Sequence, residues 1–445
     1  MSYLFAIPGL VLLGAVFNWI SKAPVRGLYL AFFATGILET VSLGPLRDKV
    51  GLTELAIILT WFAMFLGHAW RKERQALTQL QKLSLLFLSA FIFVQWLSFL
   101  VNNASFYGAM MGSLVEVLNY TYGAMMVMTV VLLVDDWDKL KGCLYAWCIG
   151  AAVVSVIGVW GMTGTAPAWT IDEFTGRISS TLKFENQIPA FIIPIFLPAI
   201  IMILSRSTSG LMKLGLSILT LLMTVTMIGT GSRTAFLLLI IAFITLLIIG
   251  FFERANTDLF KGRLGLFIIV CSIGFVGYVA AALTAFDGHY ALGHTPSWQR
   301  PVVVLYNTIT SETGTIDTTR TGQADVILKN AETSMFIGNG PKLYGSKYGV
   351  SEIHNTYAGI YTESGLFGLF SFILFLISSC YTVLYVRKLE PIPYHRLILS
   401  ALLAGFTLLL LYGMTMYGLR QRNIWLLAGL LISSHTLLKQ KNQSE

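Results

Sequence analysis

Residues 353–370 read IHNTYAGIYTESGLFGLF. The opening residues close a polar stretch of 68 residues, Phe286 to Ile353, and from Gly365 the chain turns apolar and stays so to about residue 386. This junction decides the fold, because it divides one long water-facing segment from a chain that is otherwise a succession of apolar runs. Crossing a hydrocarbon layer of about 30 Å takes roughly 17–25 apolar residues in a helix. Thirteen runs reach or approach that length: near 3–20, 27–44, 51–70, 83–101, 112–134, 143–163, 188–204, 214–230, 233–252, 264–285, 365–386, 397–418 and 424–438. The last is short and little more than SKAPVR separates the first two, so the expected count is 12 or 13.

Composition agrees. Hydrophobic residues make up 56% of the 445, charged residues 12%, and the mean hydropathy is +0.73; soluble domains carry about 25% charge. The expected fold is all-α, a polytopic transmembrane helix bundle with one large periplasmic loop containing short helices. Residues 1–285 would form the bundle of spans 1–10, residues 286–364 the large loop, and residues 365–445 the last spans and a cytoplasmic tail. The opening MSYLFAIPGLVLLGAVFNWI has no positive n-region and no Ala-x-Ala-like cleavage site, so it reads as a retained span. Net charge of +8 reports topology on such a chain. With no basic patch interleaved with exposed aromatics, nucleic acid is not an expected partner. Cys143, Cys148, Cys271 and Cys380 all fall in apolar runs, with neither a disulfide framework nor metal-ligand spacing; no metal and no cofactor is expected.

Charge also orients the chain. The alternate connections 21–26, 71–82, 135–142, 205–213, 253–263, 387–396 and 439–445 hold 18 of the 30 Lys and Arg. The opposite set holds 12, five of them in the long loop, which the positive-inside rule discounts. The first set therefore faces the cytoplasm and the long loop faces outward. Inside that loop, TTRTGQADVILKNAE (318–332) spaces small or apolar residues as a helix does, at Ala324, Ile327, Leu328 and Ala331. Thr318 or Thr319 can cap its start and GNGP (338–341) breaks the chain after it. Arg320 would then sit in a first helical turn, where the dipole favours an anion.

Cations gather at four outward-facing places. Arg233 lies in TGSRTAF at a very short turn between two spans, where the positive-inside bias opposes it and Gly229 and Gly231 allow close backbone approach. Arg320 lies at the loop helix. Arg177 and Lys183 lie in TGRISSTLKFENQ before the seventh span, a segment that also suits an ordinary solvated loop. Arg420 and Arg422 lie in LRQRN at the end of the twelfth, a position from which long cations also snorkel to headgroups. Arginine's planar fork suits phosphate and keeps its charge, so several such forks at headgroup level suit a lipid-linked phosphate or diphosphate. His354, one of six histidines, is the candidate for acid–base work near neutral pH. Cationic neighbours would favour its neutral form, which can take a proton from a sugar hydroxyl. Carboxylates are the competing choice of base: Asp172, Glu173 and Glu185 before the seventh span, Asp325, Glu332, Glu352 and Glu363 in or near the loop. No pair among them stands out by spacing. Glu39 and Glu116 fall within spans.

The pair His354-Asn355, nine residues, then Gly365-Leu366-Phe367-Gly368 resembles the signature of the O-antigen ligase and O-antigen polymerase superfamily. There a His-Asn pair and a Gly-x-x-Gly element close the large periplasmic loop. Gly231-Ser232-Arg233-Thr-Ala-Phe-Leu237 looks like the family's Gly-Ser-Arg turn and its Arg-x-x-x-Leu pattern. The stretch from Arg320 to Pro341 looks like its loop helix and Gly-x-Gly-Pro turn. The likeness covers about residues 230–369. It implies a metal-independent, inverting glycan transferase in the bacterial inner membrane, multi-pass, its active site facing the periplasm. The donor would be an undecaprenyl-diphosphate-linked glycan. The acceptor would be lipid A-core, which makes a ligase, or a lipid-linked repeat unit, which makes a polymerase. Carried over, His354 is the general base, Arg233 and Arg320 hold the diphosphate, and Arg177, Lys183, Asn355, Arg420 and Arg422 are accessory candidates. A flippase or transporter would want charges at mid-membrane and two related halves; here polar residues gather at the outward rim.

Overall fold

A computed structural model describes residues 2–37, 51–67, 76–103, 109–172, 175–206, 208–253, 263–286, 295–310, 318–349 and 353–439, with the backbone alone at 2–8, 10, 103, 253, 263–268, 308–310 and 318–324. Sixteen α-helices run through them: α1 (Ser2–Lys22), α2 (Val25–Ala34), α3 (Leu52–Leu66), α4 (Gln79–Asn103), α5 (Met110–Leu133), α6 (Trp137–Met162), α7 (Gln187–Leu204), α8 (Gly210–Gly229), α9 (Arg233–Glu253), α10 (Arg263–Thr284), α11 (Arg300–Thr310), α12 (Thr318–Thr333), α13 (Tyr344–Tyr348), α14 (Thr356–Leu389), α15 (Pro393–Tyr412) and α16 (Arg422–Lys439). Eight of these, α4 to α9, α14 and α15, are long and apolar enough to cross a membrane; shorter apolar helices occur at 11–22, 25–34, 52–66 and 269–284. The chain is a multi-pass membrane helix bundle. Within the described residues each apolar run of the sequence overlaps a helix, and the loop segment 318–332 is helical as its spacing predicts. Residues 38–50, with Glu39, as well as Glu173 and Glu352, lie outside the described residues.

The bundle is organised around α7. All of its residues except Gln187 and Ile203 are buried, as expected for a helix apolar on every side, and α6, α8, α9, α15 and α16 pack around it. Pro194 and Pro198 interrupt its hydrogen-bond ladder. Lacking an N–H, Pro194 leaves the Ala190 carbonyl without its helical donor; Asn423 of α16 donates its side-chain amide there instead. In lipid such freed backbone groups must be met by neighbouring helices. On the far side, Gly405 lets α15 approach so closely that a Cβ would lie 2.9 Å from the Pro194 oxygen.

A second constraint joins the long loop to the membrane part. Within α14, Gly365 has φ 64° and ψ −162°, a conformation almost confined to glycine. The kink opens the backbone between Tyr361 and Phe367, and residues 335–340 enter it. Asn339 N donates to Thr362 O at 2.8 Å, Gly340 N to Glu363 O at 3.0 Å, Leu366 N to Met335 O at 2.9 Å and Phe367 N to Phe336 O at 3.2 Å. Ser98 of α4 adds a hydroxyl to Glu363 O at 2.6 Å, and Asn330 of α12 donates to Tyr361 O at 3.0 Å. The two backbones touch: a Cβ at Gly338 would meet Glu363 C at 2.4 Å, and one at Gly365 would meet Phe336 C at 2.3 Å. Gly368 leaves room for the Ser364 hydroxyl, so both glycines of the Gly-x-x-Gly element have a steric reason.

Gly365→Ala therefore combines a disfavoured backbone, about 1–3 kcal/mol, with a backbone collision that no rotamer relieves. The expected outcome is a lower thermal midpoint in detergent and loss of protease protection across 335–342, whereas Gly9→Ala, where a Cβ meets nothing within 4 Å, leaves both unchanged.

Candidate active site

A cleft of about 450 Å³ opens at one end of the bundle, lined by residues from four connections: Asp172, Arg177 and Glu185; Gly231 to Thr234; Arg300 and His354; and Thr415 to Gln421. All four lie on the side opposite the lysine- and arginine-rich connections. The cleft brings His354 and Arg233 together, with Arg177 and Arg420, and adds Arg300, which sequence reasoning missed. Lys183 is not in the lining; its ammonium lies 5.6 Å over the ring of Phe184, which is. Arg422 binds Glu54 of α3 at 2.6 Å. Arg320 lies on α12, but its side chain is outside the described residues.

Local structure explains each placement. Ile171 and Ile178 form an isolated antiparallel bridge whose turn carries Gly176 at φ 63°. This hairpin sends Arg177 back to Thr230 O at 2.6 Å, Glu185 at 2.5 Å and Asn186 at 3.3 Å. Burial lowers the Arg177 pKa, with Glu185 opposing and Arg300 adding to the effect; its hydrogen bond to Thr230 O is what commits this arginine to holding the 230–232 turn. Gly231 has φ 62°, and a Cβ there would lie 3.2 Å from Ser297 O and 3.3 Å from Arg300 Cδ. The turn between α8 and α9 is thus clamped between two arginines while Arg233 projects from it. Arg233 is exposed. Neither it nor Arg300 forms an ion pair among the described residues.

His354 is exposed at the mouth, next to a rigid anchor. Asn355 caps α14 by accepting from Tyr357 N and Ala358 N, both at 3.0 Å, and its amide donates to Met414 O at 3.1 Å. Thr356 continues the clamp: its N–H donates to Gly413 O at 2.7 Å, its hydroxyl donates to Met416 O at 2.8 Å and accepts from Gly418 N at 2.8 Å. The His-Asn junction and the 413–421 connection therefore form one unit.

Beneath the cleft lies a buried polar network. The Tyr120 hydroxyl lies within hydrogen-bond distance of Glu116, at 3.1 Å, and of Glu363, at 2.5 Å, and also meets the Tyr417 hydroxyl. Tyr417 lies 2.7 Å from Glu363, Lys342 N donates to Glu363 at 3.0 Å, and Arg420 donates to Glu116 at 2.7 Å. Burial, then Glu363 and Glu116, push the Tyr417 hydroxyl well above its ordinary pKa, which keeps it a donor. Burial works against the Arg420 charge, but Glu116, Tyr120 and Tyr417 outweigh it and raise its pKa above the ordinary guanidinium value. Glu363, a candidate base by sequence, and Glu116, which sequence placed within a span, are thus brought together. Among the described residues no cluster of His, Cys, Asp and Glu could hold a metal ion.

Comparison with known families adds a decisive finding: residues 218–373 match the family described as O-antigen ligase. Over that stretch the chain is similar to the O-antigen ligase family. The match spans α8 to the kinked part of α14 and so takes in Arg233, Arg300, Arg320 and His354. It supports the O-antigen ligase and polymerase superfamily, with a glycan-transfer role in O-antigen or polysaccharide biosynthesis and lipid-linked glycan substrates. No curated protein matches the chain.

Removing one partner of a buried ion pair costs about 3–5 kcal/mol because the other charge is left uncompensated. Arg420→Met should accordingly destabilise strongly in detergent unfolding, and adding Glu116→Gln should recover most of the loss. Additive losses in that double-mutant cycle would mean the pair is not coupled.

Proposed function

We propose that the cleft transfers a glycan from undecaprenyl diphosphate to an acceptor hydroxyl on the periplasmic face of the bacterial inner membrane. The observation that carries this reading is the sharing of one cleft by His354 and Arg233, two side chains 121 positions apart in the sequence, inside the stretch that is similar to the O-antigen ligase family. His354 in its neutral form takes the proton of the acceptor hydroxyl. The oxygen attacks the anomeric carbon from the face opposite the diphosphate, and the bond from that carbon to the diphosphate oxygen breaks with inversion. A diphosphate leaves with charge spread over its oxygens and needs cations more than an acid. Arg233 and Arg300 supply those cations within the cleft, and Arg320 does so from α12. Arg177 and Arg420, each held by a carboxylate, shape the wall and add field. Asn355 fixes the start of α14 beside the base, and no metal enters the scheme.

The acceptor is lipid A-core, making the enzyme a ligase. A lipid-linked repeat unit as acceptor would make it a polymerase, and labelled acceptors of the two kinds tell them apart. Replacing His354 by Ala should abolish transfer by purified protein while binding of undecaprenyl-diphosphate-glycan persists; turnover surviving in both His354→Ala and His354→Gln removes the base. Arg233→Lys keeps charge but loses the fork, and a charge-assisted hydrogen bond is worth roughly 1.5–3 kcal/mol. A drop in kcat/KM of at least tenfold is the expected result, and wild-type kinetics would show that the fork is immaterial.

A further inference from the structure

Glu363 is a fully buried carboxyl that the transfer scheme leaves unused. It lies nine residues beyond His354 on α14, before the Gly365 kink and the apolar run that follows it. Four elements face it. From α5 come Glu116 and Tyr120, and from the 413–421 connection Tyr417 and Arg420. The long loop brings Lys342 by its backbone N–H. The fourth element, α4, adds the uncharged Ser98, which binds the main-chain oxygen of Glu363.

Hydrogen-bond geometry counts the protons in this cluster. Glu363 Oε2 lies 2.5 Å from the Tyr120 hydroxyl and 2.7 Å from that of Tyr417, and the two hydroxyls meet each other. Three oxygens therefore form a triangle. Each edge needs one hydrogen, and the two tyrosines supply two. Glu363 Oε1 is turned to Lys342 N, from which it accepts at 3.0 Å. The third hydrogen belongs on Oε2. Charge leads to the same result. Arg420 is matched to Glu116 at 2.7 Å, and Glu363 forms no ion pair among the described residues. Ionised, it would be a buried anion without a cation of its own, a costly arrangement, and would compete with Glu116 for the guanidinium.

The triangle bears on the cleft through Tyr417. Its ring packs on α14 where Gly359 leaves room, between His354 and Glu363, and the Arg420 guanidinium stands over it with Cζ 5.2 Å from the centroid. Tyr417 and Arg420 both line the cleft. We infer that Glu363 is a positioning residue of the transfer reaction and acts as a neutral carboxylic acid, fixing Tyr417 and, through its ring, Arg420 in the cleft wall. This rests on the transferase reading above. A wall held in this way keeps bound donor and acceptor aligned, and small misplacements of such groups cost large factors in rate.

Glutamine is the isostere of the neutral acid: its carbonyl oxygen can accept from Lys342 N while its amide nitrogen donates into the triangle. Glu363→Gln should therefore keep the thermal midpoint in detergent and hold kcat/KM within twofold of wild type. Glu363→Asp withdraws the carboxyl by one methylene; kcat should fall at least tenfold while the KM values for donor and acceptor stay within twofold. A Gln variant as impaired as the Asp variant, or an Asp variant with wild-type kinetics, overturns the proposal. Infrared spectra in D2O at neutral pH give a readout that needs neither folding of a damaged variant nor turnover. The wild-type minus Glu363→Gln difference should show the C=O stretch of a protonated carboxyl, and carboxylate bands alone would overturn the assignment. Should wild type transfer no glycan, the transferase reading fails while the infrared band still scores the acid.

Discussion

The insertion of residues 335–342 into the break in α14 is the constraint on which the rest of the structure depends. A transmembrane helix cannot open its ladder unless other groups take up the freed N–H and C=O, and here the long loop does so with its own backbone. Four main-chain hydrogen bonds cross between the two segments, and glycine is required on both sides because the chains touch. The same insertion delivers Lys342 N to the Glu363 carboxylate, so the loop's seat and the polar network under the cleft are one construction.

That network shows how the protein keeps charge at the membrane rim. Arg177 is matched by Glu185, Arg420 by Glu116 and Arg422 by Glu54. These pairs hold the walls, and buried pairs of this kind fix geometry more reliably than they stabilise. The cleft's remaining positive field then comes from Arg233 and Arg300, which is what an anionic leaving group requires.

Much of this was legible locally. Hydropathy runs, the loop helix at 318–332, the Gly-Ser-Arg turn and the His-Asn junction are each written within a few residues. What escaped reading was set by distance. Arg420 and Glu116 are 304 positions apart and Arg422 and Glu54 are 368 apart, so no spacing rule could pair them, and both arginines passed equally well for snorkelling cations. Arg300 was missed for another reason: its segment matches no motif. The available signal was Gln299-Arg300-Pro301, a proline in the first turn that announces a helix start and so a charge at its tip.

The last of the described helices carries a consequence for assembly. Asn423 completes the proline gap of α7, Arg422 neutralises Glu54, and Trp425 packs its ring where Gly123 leaves space. These partners leave the ribosome hundreds of residues after the groups they satisfy. One acid in the early helices, Glu54, must therefore wait in the translocon's vicinity, hydrated or protonated, until α16 arrives. Closure of the early bundle is thereby deferred to a late event of biosynthesis.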